Sequence, residues 1–189
     1  MSIAQGIIAA CWFAFVAYWT ISGFRAKADL GPRPGAGSAV PLGLAVLTLI
    51  VAHVPPLDDV LAQAQAYAAT NAAMGIAGVV LCALGVGFAI AARAALGRNW
   101  GMPMAQKANP ELVTRGPYAL ARHPIYGGML LAMLGSAIGA SATWAPAVVL
   151  FGAYFLYSAR REEGFMRAQF PEQYPAYMRR TWMLVPFLL

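Results

Sequence analysis

The stretch RGPYALARHPIYGG, residues 115 to 128, packs two prolines, two tyrosines, two arginines, a histidine and three glycines into fourteen positions. The rest of the chain is mostly alanine, leucine, valine and glycine, and a long apolar run follows this stretch directly. Proline suits the first position of a helix, because its fixed φ fits and its missing N–H is not needed there. The sequence therefore predicts that a helix begins at His123-Pro124, with a positive end next to Arg122.

The composition indicates an integral membrane protein. Of the 189 residues, 60% are hydrophobic and only 11% are charged, and the mean hydropathy is +0.62. A soluble domain carries about 25% charged residues. A soluble globular fold is therefore not expected.

The apolar segments predict an all-α, polytopic protein with five transmembrane helices. Residues 3–24, 39–57 and 72–92 form three of them. Residues 124–159 contain no charged side chain and are broken near the middle by GASAT at 139–143, which gives two more helices. A span needs about 20 apolar residues, with a lower limit near 17. We therefore expect the last two to be short and to form a tight hairpin inside the bundle.

The basic residues predict the orientation. All 13 lie in three segments, residues 25–33, 93–123 and 160–180, which five spans place on one face, opposite Asp58 and Asp59. The positive-inside rule then puts the C-terminus in the cytoplasm and the N-terminus outside. This asymmetry and attraction to anionic membrane lipids explain the net charge of +6, so no nucleic acid partner is expected. Arginine far outnumbers lysine, which indicates a GC-rich bacterium and hence the bacterial inner membrane.

Two regions are predicted along the chain: a transmembrane scaffold at 1–92 and a C-terminal region at 93–189. The first span has no basic residue before it, so we expect it to stay uncleaved. The polar segment 58–71 is expected to form a short interfacial helix. Cys11 and Cys82 are interpreted as packing residues and His53 as an interfacial residue, and no metal site is expected.

A second polar segment follows the hairpin: SARREEGFMRAQFPEQYPAYMRR, residues 158–180. Because a hairpin brings its two ends together, we expect this segment to meet residues 115–128. Glu162 and Glu163 are expected at the end of the fifth helix, where a carboxylate can bind a ribose diol or a cationic group. Gly127 and Gly128 would let a ligand or a backbone approach closely. The alternative is plain architecture: a helix cap, a snorkelling arginine and a solvated helix end.

Together, LVTRGPYALARHPIYGG, the apolar hairpin and REEGFMRAQFPEQYPAYMRR resemble the isoprenylcysteine carboxyl methyltransferase family, which groups with the phospholipid N-methyltransferases. The resemblance covers about residues 96–186, including LGRNW at 96–100. It implies an S-adenosylmethionine site built by the C-terminal half. The implied cofactor-binding residues are His123, Tyr126, Gly127, Glu162 and Glu163, with Tyr118 and Tyr174 as walls. Arg122 and Arg160 are the implied catalytic residues, holding a carboxylate of the cofactor or the substrate.

The resemblance therefore predicts an S-adenosylmethionine-dependent membrane methyltransferase acting on a lipophilic or membrane-associated acceptor. Methyl transfer is an in-line displacement that needs alignment more than acid–base groups. The acceptor stays open among a protein prenylcysteine, a phospholipid amine, a small thiol and an isoprenoid-like acid. Two alternatives remain: an NADPH-dependent sterol-type membrane reductase, and a non-enzymatic membrane scaffold.

Overall fold

The structure is a computed structural model that describes residues 2–23, 35–54, 57–97 and 111–184, and this part of the chain is almost entirely helical. These described residues form seven α-helices: α1 (Ile3–Gly23), α2 (Gly35–Ala52), α3 (Leu57–Thr70), α4 (Ala72–Leu96), α5 (Pro124–Gly139), α6 (Ala145–Gln169) and α7 (Gln173–Met178). Short 3-10 turns lie at Gly116–Ala119 and Ala142–Trp144. The basic residues of 24–34, positions 98–100 of LGRNW and residues 185–186 lie outside the described residues.

Three of the described helical segments are long and apolar enough to cross a membrane: Ile3–Ser22, Ala72–Leu96 and Ala142–Gln169. The protein is therefore an integral membrane protein. The apolar helix α5 has 16 residues and α2 has 18. These five helices correspond in position to the five predicted spans, and the five-span crossing stays a prediction. The predicted short helix after the second span is α3.

The start of α5 is confirmed: His123 is its N-cap and Pro124 its first residue. The predicted end of the last long helix is wrong. Helix α6 continues to Gln169, so Glu162 and Glu163 lie well inside it and not at its C-terminus. Arg, Glu, Met, Ala and Gln are all strong helix formers, which explains the continuation. The change in composition after Ala159 marks the end of the apolar stretch and not the end of the helix.

Helix α5 lies in close backbone contact with α4, through glycines on both helices. A Cβ atom added at Gly128 would lie 2.7 Å from the Gly85 carbonyl oxygen and 2.9 Å from the Ala89 backbone nitrogen. A Cβ atom added at Gly135 would likewise collide with the Cys82 backbone nitrogen on α4. Small residues at such positions let membrane helices approach closely, which increases their van der Waals contact. Helix α6, the expected hairpin partner, therefore packs against only one side of α5. Helix α4 packs against another side.

The turn between α5 and α6 is held by two glutamines from the N-terminal helices. Gln5 Nε2 on α1 donates to the Ala140 carbonyl oxygen at 2.9 Å. Gln65 Oε1 on α3 accepts from the Ala142 backbone N–H at 2.9 Å. These bonds fix the tip of the hairpin. The two polar segments lie at its other end.

The glycine contact between α4 and α5 predicts a large effect of a single methyl group. Gly128→Ala places a Cβ against backbone atoms that cannot rotate away, and such overpacking costs about 1–3 kcal/mol. Gly87→Ala is the matched control, since nothing lies within 4 Å of its added Cβ. Thermal unfolding of the purified protein in detergent should show a lower melting temperature for Gly128→Ala and an equal or higher one for Gly87→Ala. Equal melting temperatures for both variants would contradict the close packing.

Candidate cofactor site

The two polar segments meet at the N-terminal end of α5, as the sequence predicts. The Arg122 backbone N–H donates to the Trp182 carbonyl oxygen at 2.8 Å, and the His123 N–H to that of Met183 at 2.9 Å. In return, the Trp182 N–H donates to the Leu120 carbonyl oxygen at 3.2 Å. The chain after α7 is therefore bonded edge to edge with the residues that enter α5.

Gly127 lies under this returning segment. A Cβ at position 127 would collide with the Leu184 carbonyl oxygen. The close approach predicted for this glycine is thus made by the chain's own backbone. The Gly127 N–H also donates to the His123 carbonyl oxygen at 3.2 Å, as an ordinary bond of the helix.

Arg122 and Glu163 form a buried ion pair. Arg122 Nε donates to Glu163 Oε1 at 2.6 Å, and the two side chains are only 9% and 3% exposed. The same guanidinium donates through Nη1 to the Met178 carbonyl oxygen at 3.3 Å and to that of Thr181. One arginine thus joins α6, the end of α7 and the returning segment. The bonds of Arg122 within the described chain serve to assemble the site.

Glu163 has two further cationic neighbours. Arg167 Nη2 lies 3.6 Å from Glu163 Oε2, one helical turn further along α6. His123 Nε2 lies 3.7 Å from Glu163 Oε1, which is too long for a hydrogen bond. A carboxylate buried this deeply is tolerated because opposite charges surround it.

Glu162 lies in a different environment. Its Oε1 accepts a 2.6 Å hydrogen bond from the Tyr126 hydroxyl, and its Oε2 lies 3.5 Å from His123 Nδ1. Its side chain is 26% exposed, against 3% for Glu163. Of the two adjacent carboxylates, Glu162 is the one that a molecule arriving from water can reach.

His123 lies between the two carboxylates with its side chain 8% exposed. Burial lowers the pKa of its imidazole, but the two nearby carboxylates of Glu162 and Glu163 outweigh burial and raise the pKa above its ordinary value. Its ring is parallel to that of Tyr126, with ring centres 5.6 Å apart. Within the described part of the chain, the buried Nε2 atom has no hydrogen-bond partner.

Three tyrosines enclose the cluster on the side of α7. Tyr118 and Tyr174, both predicted as walls, are buried, and so is Tyr177, to which the family resemblance assigned no role. The Tyr177 hydroxyl donates to the Tyr118 carbonyl oxygen at 2.6 Å. Burial raises the pKa of Tyr177 to about 12, so this donor stays protonated at neutral pH. No local pattern in the sequence distinguished Tyr177 from the other aromatic residues.

Arg160 is the predicted site residue that the structure does not bring into this cluster. It is exposed on α6 and, among the described residues, makes no ion pair or hydrogen bond with the other members. Arg167 takes a place at the cluster instead, and its four-residue spacing from Glu163 was the available signal. Within residues 2–184 as described, no group of three or more His, Cys, Asp or Glu side chains is arranged to hold a metal ion.

The different surroundings of the two arginines predict different consequences of their removal. Arg122→Met leaves the Glu163 carboxylate buried without its nearest cationic partner, and breaking a buried ion pair in this way costs roughly 3–5 kcal/mol. Arg160→Met changes an exposed side chain and should stay within about 0.5 kcal/mol of the parent protein. Thermal unfolding of both variants in the same detergent measures this. A melting temperature of Arg122→Met equal to that of Arg160→Met would contradict a structural role for the pair.

The raised pKa of His123 predicts a pH dependence of stability. A group whose pKa is higher in the folded state stabilises fully below its unfolded value, about 6.5 for histidine, and this stabilisation is lost as pH rises through the folded pKa. The melting temperature should therefore fall between pH 6 and pH 9 more steeply in the parent protein than in His123→Gln. His53→Gln, at an exposed position, is the control and should retain the steeper fall. Identical slopes in the parent and His123→Gln would show that His123 is not charged in the fold.

Comparison with known proteins places this chain in a family. The sequence model of the phospholipid methyltransferase family matches residues 73–173, which are more than half of the 189-residue chain. A cobalt-zinc-cadmium resistance protein of Cupriavidus metallidurans is 37% identical over 98 residues, 50% of this chain and 45% of that protein. A nickel-cobalt-cadmium resistance protein of Alcaligenes xylosoxydans xylosoxydans is 31% identical over 108 residues, 56% of this chain and 50% of that protein.

The matched segment thus spans about half the length of these relatives. The family match runs from α4 to the first residue of α7 and includes the glycine contact of α4 with α5, the cluster of His123 and Glu163, and Tyr126 with Glu162. The chain belongs to the phospholipid methyltransferase family, a family of membrane methyltransferases.

Proposed function

We propose that the protein transfers a methyl group from S-adenosylmethionine to a lipophilic or membrane-associated acceptor. The observation that carries the proposal is the pairing of Glu162 with Tyr126 and His123 where the two polar segments meet. This carboxylate is held in a fixed orientation by a 2.6 Å hydrogen bond, yet part of it remains exposed to water. It lies at the mouth of an apolar helix pair, where a water-soluble cofactor and a lipid-soluble acceptor can both arrive.

The chemistry of the residues present fits this cofactor. Its amino group and sulfonium are cationic and its ribose offers two hydroxyls, all of which a carboxylate such as Glu162 binds well. Its remaining hydrogen-bonding atoms can use the buried His123 Nε2, which has no hydrogen-bond partner within the described chain. The buried rings of Tyr118 and Tyr174 provide flat apolar surfaces of the kind that enclose an adenine. A methyl group on a positively charged sulfur is the chemistry that this cofactor supplies when bound.

The residues of the site have different proposed roles. We propose that Glu162 binds the cofactor's polar groups and that Tyr126 orients Glu162. Glu163 and Arg122 act as positioning residues, since they bond to each other and to the segments that form the walls. Arg160 is exposed and outside this network, so we propose that it meets a carboxylate of the cofactor or of the acceptor.

We place the site at the cytoplasmic face of a bacterial inner membrane, with the N-terminus outside. The structure supports this because Arg93, Arg122 and Arg167 all lie at the end of the helices that carries the site. Asp58 and Asp59 begin α3, the helix whose Gln65 holds the opposite tip of the hairpin. The positive-inside rule assigns the basic end to the cytoplasm.

The names of the two relatives concern resistance to metal ions, and we propose that this chain contributes methyl transfer and not metal binding. The carboxylates at the site are already engaged, Glu163 by Arg122 and Glu162 by Tyr126. A metal ion would have to displace these partners from a buried position. A hydrogen-bonding ligand at Glu162 leaves the ion pair of Glu163 intact.

The test is calorimetric titration of the detergent-purified protein with S-adenosylhomocysteine. Glu162→Gln should weaken its binding about tenfold or more, because a hydrogen bond to a charged group contributes about 1.5–3 kcal/mol. Glu172→Gln removes an exposed carboxylate at the start of α7 and should bind like the parent protein. Both changes are isosteric, so the fold is preserved, which the melting temperature verifies.

The same titration is repeated with NADPH to separate the alternatives. Binding of NADPH without S-adenosylhomocysteine would assign the chain to the reductases. Failure of both ligands to bind a folded sample would contradict the proposal and favour a scaffold. Equal affinity of the parent and Glu162→Gln for S-adenosylhomocysteine would move the cofactor away from Glu162.

A further inference from the structure

Two hydroxyl groups on α6 have no role in the site as described so far. Tyr154, Ser158 and Glu162 are spaced four residues apart, so they follow one side of the helix at steps of about 6 Å. Ser158 is fully buried, and the oxygen atom of the Tyr154 hydroxyl is buried as well. Within the described part of the chain, neither hydroxyl has a hydrogen-bond partner.

Such atoms are uncommon, because nearly all buried polar groups in proteins are hydrogen-bonded. A serine inside a helix commonly bonds to the carbonyl oxygen four residues earlier, as Ser136 does to Ala132 at 2.9 Å. Ser158 makes no such bond. A buried hydroxyl without a partner is destabilising, so two of them on one side of one helix indicate bonds that another molecule completes.

The position of the two hydroxyls links them to the proposed site. Phe155 stacks on Tyr126 with ring centres 4.7 Å apart, and the Tyr154 ring lies 5.7 Å from that of Phe155. Tyr126 is in turn bonded to Glu162. The hydroxyls of Tyr154 and Ser158 therefore lie beside the cofactor residues, on the side towards the membrane interior.

The surroundings select the charge of the missing partner. Residues 124–159, which include most of α5 and α6, contain no charged side chain. Met129, Leu130 and Phe151 pack against the cluster formed by Tyr126 and Phe155 and make this region apolar. The nearest carboxylate, Glu162, lies one helical turn from Ser158 and is assigned to the cofactor by the proposed function. An ionised group at this depth would therefore lack a counter-charge of its own and would be costly to bury. An uncharged group can both donate to and accept from two hydroxyls.

We propose that Tyr154 and Ser158 form the subsite that binds the polar group of the methyl acceptor, and that this group is uncharged: an alcohol or a phenol on a lipophilic molecule, which loses its hydroxyl proton to water when its oxygen takes the methyl group. The inference rests on the proposed function, since it places the acceptor next to the cofactor residues. It separates the acceptor classes by charge, because an anionic or cationic head would find no opposite charge between Pro124 and Ala159.

The test uses tritiated 4-octylphenol as the probe, with 4-octylbenzoate as its anionic counterpart. Saturable binding to the full chain in lipid nanodiscs is measured above that of empty discs, with and without S-adenosylhomocysteine. We expect the parent protein to bind 4-octylphenol at least about tenfold more tightly than 4-octylbenzoate. The double variant Tyr154→Phe, Ser158→Ala should bind 4-octylphenol about tenfold more weakly, with unchanged affinity for S-adenosylhomocysteine. Tyr157→Phe alters an exposed hydroxyl on the same helix and is the matched control.

A second readout does not depend on any ligand. Removing hydroxyls that have no partner should leave the melting temperature of the double variant equal to or above that of the parent. A lower melting temperature would show that the protein itself or ordered water satisfies them, and would overturn the proposal. Absence of saturable 4-octylphenol binding, tighter binding of 4-octylbenzoate, or equal binding by the double variant would also overturn it. Failure of S-adenosylhomocysteine to bind the parent protein contradicts the proposed function instead, since the phenol is also measured without it.

Discussion

The buried ion pair between Arg122 and Glu163 is the interaction on which the rest of the site depends. It joins the residue before the α5 N-cap to the polar half of α6, and the same guanidinium bonds to carbonyl oxygens at the end of α7 and in the segment after it. Four parts of the chain are thereby fixed by one side chain. Such a pair is costly to desolvate and is tolerated because Arg167 and His123 add positive charge around Glu163. What it contributes is geometry: it sets the orientation of α6, and hence where Glu162 and Tyr154 lie.

The hairpin is fixed independently at its other end and along its length. Gln5 and Gln65 bind the turn between α5 and α6, and the glycines of α4 and α5 bring the two backbones into contact. Helix α5 is short and apolar all round, so it needs neighbours on several sides to stay in place. Within the described residues, the N-terminal helices carry no residue of the cofactor cluster, and their contacts hold the turn between α5 and α6.

Much of this arrangement followed from the sequence, and the exceptions have physical causes. The start of α5 was predictable from Pro124, because proline at the first helical position acts through local backbone geometry alone. The meeting of the two polar segments followed from hairpin connectivity. The end of α6 was predicted wrongly because a change from apolar to charged residues reports the local solvent, whereas strong helix formers continue the helix across that boundary. Pairing of α5 with α4, and the bond of Tyr177 to the Tyr118 carbonyl oxygen, depend on tertiary packing, which no local pattern encodes.

The adjacent pair of glutamates shows why a motif alone cannot assign roles. Successive residues on an α-helix differ in direction by about 100°, so Glu162 and Glu163 cannot face the same environment. Glu163 faces the entering end of α5 and is neutralised there by Arg122, while Glu162 faces the Tyr126 hydroxyl with a quarter of its side chain exposed. Glu163 can only assemble the site, because its oxygens are buried among cations of the same chain. Glu162 combines a fixed orientation with access to water, which is what a binding carboxylate requires. On the same side of α6, towards its N-terminus, there is no charged side chain, and the polar groups are the hydroxyls of Ser158 and Tyr154. One helix face thus passes from a site suited to a charged, water-soluble ligand to one suited to an uncharged, lipid-soluble ligand, in the order in which a membrane methyltransferase would meet its two substrates.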